Sequence, residues 1–342
     1  MSNRITRRTV LRSSIAATLL TAVPVFALVK DAVYKPAVPG RPVPGPTPYD
    51  EFSTAERVTS GMDLMGQTAL VTGCNSGLGY ETMRVLALRG AHVIGAARTM
   101  EKAAAACAGI DGQTTPLVVE LTDLQGIVMA ANHVAAMNVP VDMLILNAGI
   151  MAVPELRQSN GIEMQFAVNH LGHFLLANRL QDQVIAAQQG RVVVVSSAAH
   201  KWGPKEGIQF DNLSGEEDYD PFTAYGQSKV ANGLFSREFA RRLADTNATS
   251  NSLHPGVIKT NLGRFLPPED ESDDEPRRFR YKTIPEGTAT TCYVATSPDL
   301  DRVTGYYFSD CNPAVPNAHM QNDELAARLW EVSAELTADY LA

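Results

Sequence analysis

Thr68-Ala69-Leu70-Val71-Thr72-Gly73-Cys74-Asn75-Ser76-Gly77-Leu78-Gly79 decides the fold of this 342-residue chain. Its first five residues are a short, mostly apolar run that reads as a buried strand. Glycines at 73, 77 and 79 then break the run, and Tyr80 to Arg89 resumes with helical spacing. Gly73 permits a tight turn, Gly77 lets backbone approach a diphosphate, and Gly79 lets helix and strand pack closely. Asn75, Ser76 and Leu78 complete the turn and belong to the same candidate anion site. The N–H groups of the new helix face that anion, so the stretch reads as a dinucleotide-binding turn. Its spacing is T-G-x-x-x-G-x-G rather than the commoner G-x-G-x-x-G.

The pattern repeats outward. His92 to Ala96, Thr115 to Leu121, Met143 to Leu146 and Arg191 to Ser196 carry the strand signature, while Leu124 to Met137 and Gly161 to Gln183 are helix-like. Val192 to Val195 has no polar alternation, as expected of a strand covered on both faces. Strands alternating with helices imply right-handed crossovers and a parallel sheet. The predicted fold is α/β: a Rossmann-type doubly wound parallel sheet of about seven strands, helices on both faces, in one domain over 61–342. Ligands of such sheets bind beyond the carboxyl ends of the strands.

The candidate site residues gather near those ends. The second strand closes on Ala96-Ala97-Arg98-Thr99, without the acid that holds a ribose hydroxyl in NAD enzymes; Arg98 can instead pair with a 2′-phosphate, which predicts NADP(H) over NAD(H). Asn147-Ala148-Gly149 offers small residues beside a cofactor ribose. Tyr225 and Lys229, at i and i+4, share one helix face. A phenol titrates near pH 10, and an adjacent ammonium and an oxidised nicotinamide both favour its anion, moving it toward general acid/base duty. Ser196-Ser197 ends the valine strand and offers a hydroxyl to a carbonyl oxygen. Asn169 interrupts a helical segment for which asparagine is a poor choice. His170 and His173 read as packing residues, and no metal site is expected.

Net charge is −8, and residues 1–27 hold four arginines and no acid, so the remainder carries −12. An acidic body without a basic stripe excludes nucleic acid as a partner. Four cysteines (Cys74, Cys107, Cys292, Cys311) form no C-x-x-C pair; a Cys292–Cys311 disulfide stays open if the chain is exported. Arg7-Arg8 followed by Val10-Leu11 and an uncharged stretch to Val29 predicts a twin-arginine-type signal peptide over 1–27, hence an exported, periplasmic or envelope-associated protein. An uncleaved membrane anchor is the alternative. Residues 28–60, proline-rich from Lys35 to Pro48, read as an extended linker. Leu262 to Thr283, with acidic residues from Glu269 to Glu275, is the candidate substrate loop, its apolar flanks suiting a lipophilic substrate.

Taken together, the Thr72–Gly79 turn, Asn147-Ala148-Gly149, Asn169, Ser197 with Tyr225 and Lys229, and Pro255-Gly256 with Thr260 resemble the short-chain dehydrogenase/reductase superfamily. Val168-Asn169-His170-Leu171-Gly172-His173-Phe174, Val195-Ser196-Ser197-Ala198-Ala199-His200 and Leu253-His254-Pro255-Gly256 are similar to its retinol dehydrogenase and WW-domain oxidoreductase branch. The resemblance implies roles. Tyr225 would be the general acid/base and Lys229 would hold the ribose. Ser197 would orient the carbonyl, and Asn169 would position a relay water. Gly256, Ile258 and Thr260 would meet the nicotinamide side. Glu120 stands where the family usually has aspartate, which leaves adenine contact to the backbone of Leu121. The implied activity is interconversion of an alcohol with its aldehyde or ketone, on a small-molecule substrate. A carbon–carbon double-bond reductase and a non-catalytic NADP sensor are the alternatives. A homo-oligomer is compatible with the family.

Overall fold

A computed structural model describes residues 34–266 and 280–341. The predicted signal peptide and most of the acidic loop lie outside the described residues.

The sheet has eight strands: β1 (Thr68–Thr72), β2 (His92–Ala97), β3 (Thr114–Val118), β4 (Met143–Leu146), β5 (Arg191–Val195), β6 (Thr249–His254), β7 (Tyr307–Ser309) and β8 (Asn312–Ala314). Their spatial order is β3-β2-β1-β4-β5-β6-β7-β8, and all neighbours are parallel except the final β7–β8 pair. This is the predicted doubly wound sheet, with one antiparallel edge strand added. The winding reverses between β1 and β4, which opens a crevice at their carboxyl ends.

Seven longer helices matter for the site: α1 (Gly77–Leu88), α2 (Met100–Ala108), α3 (Leu124–Ala136), α4 (Gly172–Arg179), α5 (Pro221–Arg242), α6 (Ile284–Thr296) and α7 (Asp323–Leu336). Side chains alternate along a strand, so each strand feeds two cores. Leu70, Ile94, Leu144, Val192 and Val194 meet apolar residues of α3, α4 and α5 on one face. On the other face Gly95 lies under Met83 of α1 and Cys107 of α2; a Cβ there would stand 2.8 Å from Met83 Sδ. Helix starts follow their capping residues. Asp220 accepts the Thr223 N–H at 2.7 Å, with Pro221 in the first turn. Thr283 and Glu286 form a reciprocal capping box at α6.

Two expectations are corrected. Residues 36–60 belong to the same compact unit as the body, so the domain does not begin at 61. Proline keeps residues 36–48 out of helix and sheet, while Ala55–Val58 forms a short helix capped by Thr54, and the other residues find partners. Ala37 and Val38 bury against Ala240, and one Arg41 nitrogen donates to Ala244 O at 2.6 Å and Thr246 O at 2.7 Å. Those carbonyls lie just past the end of α5, where a cation is favoured. Secondly, Gly161 to Gln183 is not one helix. Ile162–Glu163 pairs with Gln158–Ser159, and a π-helical turn, Ala167–Leu171, precedes α4. Asn169 sits in that wider turn, a form often found at functional sites. On the question left open by the sequence, all four cysteines are free and buried, so Cys292 and Cys311 are not paired.

Candidate active site

A cleft of about 650 Å³ lies along the carboxyl edge of the sheet. Its floor is the glycine turn. Gly73 and Gly77 have φ of +71° and +56°, conformations that favour glycine. A Cβ on Gly79 would stand 2.2 Å from Gly73 O, so only glycine lets α1 close on the turn. Ser76 begins α1 without a side-chain cap bond, which leaves first-turn N–H groups to face the cleft. These features fit a diphosphate.

The rim of this cradle is fixed by a network that the sequence did not disclose. Thr72 Oγ1 accepts the N–H groups of Asn147 (2.9 Å) and Ala148 (3.0 Å), and Asn147 Nδ2 donates back to Thr72 O at 2.9 Å. His173 Nδ1 donates to Asn169 O at 3.1 Å, which leaves Nε2 to accept the Thr72 hydroxyl at 2.9 Å. Burial pushes His173 down to about 4, keeping it neutral for this role. His170 bonds Ser333 at 2.8 Å and packs edge-on against Phe166 and Phe235. Each histidine thus has a structural partner.

At the adenosine end the cleft is lined by Arg98 and Lys102, both exposed, with buried Ala97 where an acid would hold a ribose hydroxyl. The Glu120 carboxylate turns into its own loop, accepting from Thr122 N at 3.3 Å and Thr122 Oγ1 at 3.1 Å. Leu121 also lines the cleft and packs against Gly172, where a Cβ would meet Leu121 O at 2.3 Å.

The reacting groups converge at the other end. Tyr225 and Lys229 are one turn apart on α5, both buried, with Lys229 Nζ 5.5 Å from the phenol ring centroid. Ser197 lies close enough to the Tyr225 hydroxyl to oppose its rise, and its own hydroxyl accepts Ala199 N–H at 3.1 Å. Its neighbour Ser196 points the other way and donates to Lys229 O at 2.7 Å, anchoring β5 to α5. Lys229 Nζ donates to Val195 O at 3.1 Å. Burial lowers the lysine from 10.5 to about 7, and burial also raises the phenol, partly opposed by Ser197. In both groups burial is the largest cause, because desolvation disfavours the charged form.

The Asn169 amide is engaged by protein partners. Its Oδ1 accepts Ile150 N–H at 2.8 Å, and Nδ2 donates to Ile150 O and to Ser228 Oγ, each at 2.9 Å. Ser228 in turn donates to Tyr225 O at 2.7 Å. The amide therefore ties the loop after β4 to the helix carrying Tyr225.

The cleft gathers every predicted site residue except Gly79 and Asn169, which support it from below. Gly256 (φ +105°) admits the Lys282 side chain, which a Cβ would meet at 2.6 Å, and Thr260 rests on Gly77. Sequence reasoning missed His254, whose Nδ1 accepts the Ala198 N–H at 3.0 Å and fixes the loop bearing Ser197. It also missed Lys102 and Arg264 at the adenosine end, and Val153, Met164 and Val168 at the open end. His254 and Val168 stood inside recognised motifs; the others carry no local signal.

Fold and site define an NAD(P)-binding oxidoreductase, and the comparisons name the family. The short chain dehydrogenase profile matches residues 67–271, and the chain belongs to that family. It is 43% identical over 305 residues to the short-chain dehydrogenase TIC 32 B, chloroplastic, of Brassica napus, covering 85% of this chain and 95% of that one. It is 37% identical over 295 residues to retinol dehydrogenase 14 of Mus musculus, covering 79% and 85% respectively. A solved Mycobacterium paratuberculosis protein, itself uncharacterised, superposes with TM-score 0.68 at 34% identity, covering 82% of this chain and 97% of that one.

Proposed function

We propose that this protein is an NADP(H)-preferring dehydrogenase/reductase that interconverts a lipophilic alcohol with its aldehyde or ketone, Tyr225 serving as general acid/base. The observation that carries this reading is the convergence of Ser197, Tyr225 and Lys229 on one cleft whose floor fits a diphosphate. A protein that only binds a dinucleotide needs no buried phenol beside a serine and a buried lysine. Bound nicotinamide supplies or accepts the hydride. Tyr225 gives a proton to the carbonyl oxygen in reduction and takes it from the hydroxyl in oxidation. Ser197 orients that oxygen toward the phenol. Lys229 meets ribose hydroxyls, whose acceptor oxygens restore its charge, and the restored ammonium then favours the phenolate. Ile150, Val153, Met164 and Val168 line the substrate end, which supports an apolar substrate.

The test is Tyr225→Phe, which keeps the ring and removes the exchangeable proton. Turnover should fall at least about 10²-fold while cofactor affinity is kept. Ketones, aldehydes and conjugated enones are assayed side by side. Near-normal turnover in the variant, or reduction confined to the enone double bond, would overturn the reading.

A further inference from the structure

We infer that Arg264 is a second guanidinium of the 2′-phosphate site, so that NADP preference is set jointly by the loops after β2 and β6. This inference rests on the NADP reading above. Arg264 lines the same cleft as Arg98 and Lys102, although it lies 166 positions beyond Arg98 in the chain. Its position follows from the turn that carries it. Thr260 starts this turn and lies against Gly77, close enough that a Cβ on that glycine would meet Thr260 Cγ2 at 3.3 Å. The short 3₁₀ turn Asn261–Gly263 then leads the chain outward from the glycine turn to Arg264. Arg264 is held by two local contacts: one terminal nitrogen donates to Asn261 O at 2.9 Å, and its guanidinium carbon lies 4.7 Å from the Phe265 ring centroid. The remaining donors have no protein partner among the described residues.

The electrostatics agree with the geometry. The charge on Arg98 is felt at Arg264 and, with burial, lowers its basicity. Among the described residues neither guanidinium has a carboxylate partner. Two like charges facing one cleft without a counterion are the complement of a phosphate monoester. Guanidinium forks suit its oxygens, and the dianion neutralises both cations. A ribose hydroxyl does neither, so the same pair of arginines gives no comparable return for NAD. The ligand group is therefore the 2′-phosphomonoester of adenosine, bridging two segments far apart in sequence.

Calorimetric titration of the cofactor-free protein with NADP⁺, NAD⁺ and 2′,5′-ADP tests this without using turnover. Arg264→Gln should weaken NADP⁺ and 2′,5′-ADP by a common factor of about 10, the lower range for a charge-assisted bond at an exposed site. NAD⁺ should change less than about twofold, because the lost charge has nothing to bind there. Arg264→Lys, which keeps charge but loses the fork, should fall between wild type and Arg264→Gln. Equal losses for NADP⁺ and NAD⁺, or no loss for either, would overturn the inference. The failure modes separate cleanly. A wild type that prefers NAD⁺ defeats the NADP reading itself. A wild type that prefers NADP⁺ through Arg98 alone defeats only the role of Arg264.

Discussion

Lys229→Met should make the cofactor-free protein more stable while destroying its activity. The wild-type ammonium is buried and has a single hydrogen bond, to Val195 O at 3.1 Å. Its lowering from 10.5 to about 7 corresponds to a charging penalty of about 5 kcal/mol. Methionine has a similar shape and no charge. Val195 O stays satisfied, because Asn232 Nδ2 also donates to it at 3.2 Å. Loss of the lysine's own hydrogen bond returns about 1 kcal/mol, and imperfect packing a similar amount. A net gain of about 2–3 kcal/mol remains, some 5 °C or more in melting temperature. The sign with pH is definite. Between about pH 7 and 10.5 the unfolded lysine holds a proton that the native one has given up, so wild-type stability rises with pH across that window. The variant's advantage is thus fully present below pH 7 and shrinks as pH approaches 10.5. Urea unfolding of both cofactor-free proteins at pH 6, 7.5 and 9 measures this. A variant less stable at pH 6, or a difference constant across pH, would refute the reasoning. Binding of cofactor should reverse the order, since only lysine is recharged by the ribose.

Three further outcomes are expected. Ala97→Asp with Arg98→Ala should invert cofactor preference, by repelling the 2′-phosphate and removing its partner, and titration of both cofactors reads it. His254→Leu should lower turnover about tenfold with little change in cofactor affinity, because Ala198 N–H loses its acceptor and Ser197 is freed; His254→Asn, which keeps an acceptor in the Nδ1 position, should recover most of the loss. Arg7→Lys with Arg8→Lys should leave precursor in the cytoplasm if the paired arginines direct export, whereas a plain membrane anchor would be indifferent to the swap; cell fractionation with mass measurement of the mature chain distinguishes them.

The sequence by itself determined the architecture and most of the cleft. Apolar runs and glycine spacing report short-range physics: a buried strand cannot alternate, and a Cβ at Gly79 cannot fit under its turn. These constraints are written within a dozen residues, so β1, β2, β4 and β5 and the turn between β1 and α1 could be read directly. Tyr225 and Lys229 were legible because one helical turn spans four residues. The tertiary structure decided what depends on groups distant in the chain. Thr72, Asn147 and His173 lie in three elements, and nothing local in any of them announces their network. The partners of the Asn169 amide, Ile150 and Ser228, come from other segments of the chain. Residues 36–60 carry the composition of a linker, yet Arg41 finds carbonyls at the end of α5, two hundred positions away. The protonation of Lys229 was decided by burial, which no spacing encodes: sequence places two groups side by side, but only packing sets how much water remains between them.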